Sequence, residues 1–415
     1  MFTGGPARRL AVALAAAAIL APCAARDLTL AEAESLLLAR NRELIAARRA
    51  VESAQAQIVI AGARPNATVS VNSTSISSSP GTHPDTVFRI DQPFERGDKR
   101  ALRLDAASGL ARAAQNDSLD VLRQSLAQMR GAYFDLKQAQ EKVTVLGENA
   151  QLFSGTLAAA QKRQQAGDLA AADVAKVQVD YERAQNDARA ALGELARAQL
   201  ALAYLIGAER EAAEFRAADE WPAVESADPA LVEQRIAQRP DVLAAQARVQ
   251  AAEKLRDLAR AQRTRDVTLG AQYERFPGNV PSNSVGFGIS FPLFTGYDFS
   301  GDIQKAEVER YAALDALAKT QAVAGGELRR AANDLNVAAE RVRRYETSLL
   351  DAAGRSAQAA EFAFQRGAIS VLEVLDSRRT LRAVRLEALI ARNDYAKALA
   401  AWRASTATAA SLPPQ

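Results

Sequence analysis

Cysteine, histidine and methionine, the side chains that hold soft or borderline metals and supply the usual thiol nucleophile and imidazole base, are nearly missing from this 415-residue chain, which has one cysteine, Cys23, one histidine, His83, and two methionines. A nucleophile with its base, or a site for a soft or borderline metal, needs several such groups together, and no glycine-rich phosphate loop is present. No enzyme, no cofactor and no resident metal site is therefore expected. The one modification open to Cys23 is acylation, for which Leu20-Ala21 fits and Pro22, standing where a small residue is required, does not. His83 lies in a proline-rich loop and reads as a solvated residue.

Upstream of Cys23, Arg8 and Arg9 precede the apolar run Leu10 to Ala21, and Cys23-Ala24-Ala25 supplies small residues, so residues 1–25 read as a secretory signal peptide. Its removal takes two of 52 basic residues and leaves 50 against 49 acidic ones. So balanced a chain gives no reason to expect a nucleic-acid partner. No later stretch offers ~20 uninterrupted apolar residues, so a membrane-crossing form must be a closed β-barrel.

The chain repeats itself. Leu44-Ile45-Ala46-Ala47 with Val51 and Ala54 recurs as Val242-Leu243-Ala244-Ala245 with Val249 and Ala252, displaced by 198. Phe88, Ile90, Pro93 and Gly97 recur as Phe287, Ile289, Pro292 and Gly296, displaced by 199; Gly167 with Val174 recurs as Gly367 with Val374, displaced by 200. A nearly constant spacing over several anchors marks a duplicated unit. The divisions expected are a first repeat over 26–207, an inter-repeat linker over 208–229, a second repeat over 230–405 and a tail over 406–415.

Proline is absent between Pro93 and Pro222 and between Pro292 and Pro413. Proline costs ~3 kcal/mol inside a helix, so these Ala/Leu/Gln/Arg/Glu-rich stretches read as helical hairpins, over about 98–206 and 297–404. Their breaks fall at Gln165-Ala166-Gly167-Asp168 and Gln365-Arg366-Gly367-Ala368, where glycine can take the left-handed conformation. Ser370 to Glu373 has capping-box spacing for the return helix, as Thr29 to Glu32 has for a helix running to about Ala63.

Before each hairpin the period changes from 3.6 to 2, which places strands at about 67–77, 86–93, 266–275 and 284–292. Their apolar faces carry Val69, Val71, Phe88, Ile90, Val267, Leu269, Tyr273, Val285, Phe287, Ile289 and Phe291, and the opposite faces are small or polar. A two-sided sheet packed on helices in a soluble protein also satisfies this alternation. Strands of ~10 residues fit a membrane-spanning barrel, and single-chain barrels need ~8 strands. Four per chain cannot close, whereas a cyclic trimer supplies twelve. The fold class expected is mainly α with a small β part, assembled as a trimeric twelve-stranded β-barrel continued by a long α-helical barrel.

At this point the sequence resembles the TolC family of outer-membrane efflux channels, through Leu28-Thr29-Leu30-Ala31-Glu32-Ala33, the duplicated order of elements, Arg239-Pro240-Asp241 and the glycine turns. The likeness covers essentially the whole chain after residue 25. Gln92 to Arg100, QPFERGDKR, is similar to a segment of the CzcC-like branch, which serves heavy-metal cation efflux. The resemblance implies a homotrimer in outer-membrane lipid, docked to a periplasmic adaptor (membrane fusion) protein and an inner-membrane pump of the resistance-nodulation-division type. It implies that Gly167-Asp168-Leu169 and Gly367-Ala368-Ile369 are docking turns and that Glu373 and Asp376 ring the periplasmic mouth. Glu373 has a second reading, as the acidic member of the capping box. Where the family's closed state uses a tyrosine and an arginine, this chain has Phe364 and Ile369, so the same latch is not expected. Export of drugs or proteins competes with metal efflux, and a periplasmic helical scaffold is the rival of another class.

Overall fold

The computed structural model describes residues 26–74, 84–228, 231–277, 280–366 and 368–413. The signal segment with Cys23, His83 in its loop, and Gly367 lie outside the described residues.

Thr29 opens the first helix with a complete capping box, its side chain accepting the Glu32 N–H while Glu32 accepts the Thr29 N–H. The helix does not run through to Ala63. It divides into α1 (Leu30–Arg40) and α2 (Arg42–Gly62), because Asn41 adopts ψ 126° and its side chain caps the Leu44 N–H at 3.0 Å. Strands β2 (Thr68–Thr74) and β3 (Asp85–Phe94) follow a three-residue β1 (Arg26–Leu28), and lead into α3 (Lys99–Gln165). At 67 residues without a break, α3 is ~100 Å long. The return helix is α4 (Ala171–Leu205).

Between the repeats the chain is more ordered than an irregular linker. A 3-10 turn over Glu209–Glu214 leads into β4 (Phe215–Ala217), which pairs in parallel with β1. Tyr133 of α3, fully buried, ties this junction: its hydroxyl reaches the Leu28 carbonyl at 2.9 Å and the Asp219 carboxylate at 2.8 Å, and accepts the Ala218 and Asp219 N–H groups. Trp221 stacks on Phe134, with centroids 5.8 Å apart, and donates to Glu141 at 2.8 Å.

The second repeat comprises α5 (Leu231–Ile236), α6 (Pro240–Ala261), β5 (Val267–Phe276), β6 (Ser282–Ser290), α7 (Ser300–Arg344), α8 (Leu350–Gln365) and α9 (Val371–Ser405). Arg239 stands at the N-cap of α6 with Pro240 in its first turn, where the missing N–H costs nothing. Its guanidinium is almost wholly buried and is satisfied by Asp241 and Glu327 at 2.7 and 2.8 Å.

Between α7 and α8 the helix widens into one π turn, Tyr345–Leu349. Above it, buried Met129 and Leu136 correspond to buried Leu328 and Leu335 at a displacement of 199; below it, buried Phe153 corresponds to buried Ala353 at 200. A π turn is how a helix absorbs one inserted residue, so the extra residue of the second repeat is located at this turn.

The long helices form an open strip. Beside the sheet the order is α2, α3, α6, α7; farther away it is α4, α3, α9, then α7 and α8. Three apolar cores hold the strip: around Tyr133 and Phe215, around Leu335 and Trp402, and at the far end around Phe153, Val177 and Leu375.

Candidate functional site

Strands β2, β3, β5 and β6 form one antiparallel sheet in that order, so β2 and β6 are unpaired margins among the described residues. Register aligns Val69, Ile90, Ala271 and Phe287 in one row and Val71, Phe88, Tyr273 and Val285 in the next, all on one face. Leu269 and Ile289 extend that face. These large side chains stand exposed in the single chain, Phe287 at 87%, as does Phe291 just past β6, while Val267 is half-buried. No helix among the described residues is long and apolar enough to cross a membrane. The sheet presents a contiguous exposed apolar face.

The other face reads Thr68, Asp91, Gly270, Gly288 in one row and Ser70, Arg89, Gln272, Gly286 in the next. Its small and polar residues can line a water-filled space.

At the opposite end, some 67 residues of α3 away, the two helical hairpins turn. Gly167 has φ +84°, and the turn closes with the Asp168 N–H donating to the Arg163 carbonyl at 2.9 Å. The same bond recurs 200 residues later, from the Ala368 N–H to the Ala363 carbonyl at 2.9 Å. This six-residue closure is what a glycine-terminated helix makes. Asp168 and Ala368 are exposed, and Leu169 and Ile369 are half-buried, Leu169 against the core shared by both hairpins.

The first turn of α9 carries the other expected site residues. Ser370 and Glu373 form a complete capping box, the Ser370 N–H donating to Glu373 at 3.0 Å. Glu373 is thus partly engaged by the backbone, although exposed, and Asp376 is exposed with no ion pair among the described residues. Phe364 lies beneath the Arg163 guanidinium, 5.6 Å from it, and packs into the shared core.

Sequence reasoning missed what joins the hairpins. Arginines of α9 reach across to the first hairpin: Arg378 to Thr156 at 2.6 Å, Arg379 to the buried Asp180, Arg382 to Asp187 at 2.8 Å and Arg385 to Glu148 at 3.6 Å. The signal was present in the spacing of 378, 382 and 385, which puts them on one helix face. A cavity of about 700 Å³ lies beside these braces, walled by Leu152, Gly155, Arg163, Phe364, Val371 and Arg378. Among the described residues no group of three acidic, histidine or cysteine side chains is placed to hold a metal ion.

The family described as outer membrane efflux protein matches residues 34–208 and 231–408. Over 370 residues the chain is 27% identical to the cobalt-zinc-cadmium resistance protein CzcC of Cupriavidus metallidurans, covering 88% of this chain and 87% of that one. It is 24% identical to the pyoverdine export outer membrane protein OpmQ of Pseudomonas putida, over 83% and 78% of the two chains. Its fold is similar to that of the outer membrane protein VceC of Vibrio cholerae, with a TM-score of 0.77, 20% identity and coverage of 91% and 96%.

Proposed function

From the premise that this chain belongs to the outer membrane efflux protein family, and is thus an outer-membrane efflux channel rather than an enzyme, we propose that three copies close into one passive conduit. The observation that carries this reading is the sheet with two unpaired margins and one continuous apolar face. An open edge in lipid leaves backbone groups without partners, at several kcal/mol each. Pairing β6 of one copy with β2 of the next removes every edge and makes twelve strands. The helical strip has matching free flanks, α2 and α4 on one side, α7 and α8 on the other, so the same rotation closes a helical tube below.

In that assembly Val69, Val71, Phe88, Ile90, Val267, Leu269, Tyr273, Val285, Phe287, Ile289 and Phe291 face lipid. The turns at Gly167-Asp168-Leu169 and Gly367-Ala368-Ile369 form the far rim, where an adaptor protein docks and connects to an inner-membrane pump of the resistance-nodulation-division type. Glu373 and Asp376, three copies of each, narrow the mouth and favour cations. The periplasmic scaffold reading gives way to family membership.

The cargo we propose is heavy-metal cations. Support comes from the similarity to the cobalt-zinc-cadmium resistance protein and from the QPFERGDKR segment at Gln92 to Arg100. A tube poor in histidine, cysteine and methionine lets such ions pass without binding them. Similarity to the pyoverdine export protein keeps organic cargo as the second reading. A strain lacking the protein decides between them: selective sensitivity to zinc, cadmium or cobalt supports metal efflux. Sensitivity to dyes and detergents with unchanged metal tolerance overturns it.

A further inference from the structure

On the polar face of the sheet, Arg89 and Asp91 form a two-point ion pair. Arg89 Nε lies 2.7 Å from Asp91 Oδ2 and Nη2 lies 2.8 Å from Oδ1, with Nη1 3.3 Å from Gln272 Oε1. Both residues belong to β3 two positions apart, so the pair is built within one strand and does not depend on a neighbour. It lies across β5 at Gly270, where a Cβ would stand 2.5 Å from Asp91 Oδ1 and 2.9 Å from Arg89 Nη2. A side chain at 270 would displace the pair, so this glycine is what lets the two charges lie flat against the sheet. Beyond it, on β6, Gly288 continues the cleared lane, with Arg89 Nη2 3.9 Å from its would-be Cβ.

The pair is only partly shielded, with side-chain exposures of 36% and 26%, so its charges meet whatever occupies the space in front. Register places two other acidic residues on the same face, Asp85 and Glu274, and neither makes an ion pair among the described residues. Arg89 is the only cation on this face of the four strands. Unpaired, it would oppose the passage of cations at its level; paired, it contributes almost no net field, and the acidic residues set the sign.

We infer that the Arg89–Asp91 pair is a specificity-determining element of the bore: Asp91 cancels the only basic side chain on the polar face of the four strands, and so keeps the outer half of the conduit permissive to cations. This rests on the barrel reading, in which the polar face is the lumen.

Purified full-length protein in planar bilayers tests it through reversal potentials across a potassium chloride gradient. Asp91→Asn exposes three arginines and should lower the cation-to-anion permeability ratio at least about twofold at ~0.1 M salt, where the Debye length is about 10 Å. Arg89→Gln should raise the ratio, and the double variant should return to the wild-type value, because it restores neutrality. The differences should fade near 1 M salt, where the Debye length is about 3 Å. A purely structural role for the pair would not give opposite signs for the two single variants. Equal or same-direction selectivity changes in well-formed channels overturn the inference. If the unaltered protein gives no conductance, it is the conduit reading that fails.

Discussion

Tyr133 and Asp219, 86 residues apart, meet in a hydrogen bond of 2.8 Å that joins the longest helix to the segment between the repeats. The same carboxylate accepts the Leu30 N–H, so the start of the first helix is held there as well. Four backbone groups from two distant parts of the chain, those of Leu28, Leu30, Ala218 and Asp219, meet one phenol and one carboxylate.

Tyr133→Phe should therefore cost about 1–3 kcal/mol, since the half-buried Asp219 loses the hydroxyl from both its N–H and its carboxylate, while the Leu28 carbonyl and the Ala218 N–H keep each other at 3.1 Å. Burial, ahead of the nearby Asp219, pushes the Tyr133 phenol well above its ordinary value. A group whose folded value is raised contributes stability that is complete below the unfolded value, about 10 for tyrosine, and is lost as pH climbs beyond it. Denaturation of the detergent-solubilised protein across pH 8 to 12 should show an alkaline loss of stability that is reduced in the variant. An unchanged midpoint at neutral pH would contradict the role of the hydroxyl.

Replacing Glu373 and Asp376 together by alanine should raise single-channel conductance and weaken cation preference. Glu373 also completes the cap on α9, so this variant mixes two effects; Ser370→Ala separates them by losing the cap, at about 0.5–2 kcal/mol, while keeping the charge. Wild-type conductance in the double variant would remove both residues from the constriction.

The braces between the hairpins should hold the far end closed. Asp180→Asn with Asp187→Asn removes the negative charges that pair with Arg379 and Arg382, and conductance should rise as the ends separate more readily. Conductance matching that of the unaltered protein would assign the braces to folding alone.

Phe287, 87% exposed on the apolar face, is the most direct test of what that face meets. Phe287→Arg should impair membrane assembly by about 2–4 kcal/mol if the site is near mid-bilayer, seen as loss of heat-resistant trimers from the outer membrane. Full assembly of this variant would place the face in water or protein instead.

Much of the fold was legible because local rules and tertiary structure agree. Thr29 with Glu32 and Ser370 with Glu373 read as capping boxes, and both are formed. The alternation from Val267 to Tyr273 reads as a strand, and the registered sheet contains it. What was not legible depends on distant partners. The pairing of Arg26–Leu28 with Phe215–Ala217 involves three residues on each side, too few for a periodic signal. The break at Asn41 is fixed by its amide donating to the Leu205 carbonyl at 2.8 Å, a contact across 164 residues. The arginines of α9 read as an ordinary basic helix face until their partners on the first hairpin are in place.

The widened turn at Tyr345–Leu349 keeps the two halves of the molecule alike although one hairpin is a residue longer. From the sheet down to that level, duplicated helices stand at corresponding positions, so a ring of three chains approximates sixfold symmetry. One added residue would rotate a regular helix by ~100°; the widened turn takes that residue up, so beyond it the two hairpins resume matching positions at a displacement of 200. The two hairpin ends still differ in side chains, Asp168-Leu169 at one and Ala368-Ile369 at the other, so around a ring of three chains a partner at the far rim would meet threefold, not sixfold, repetition.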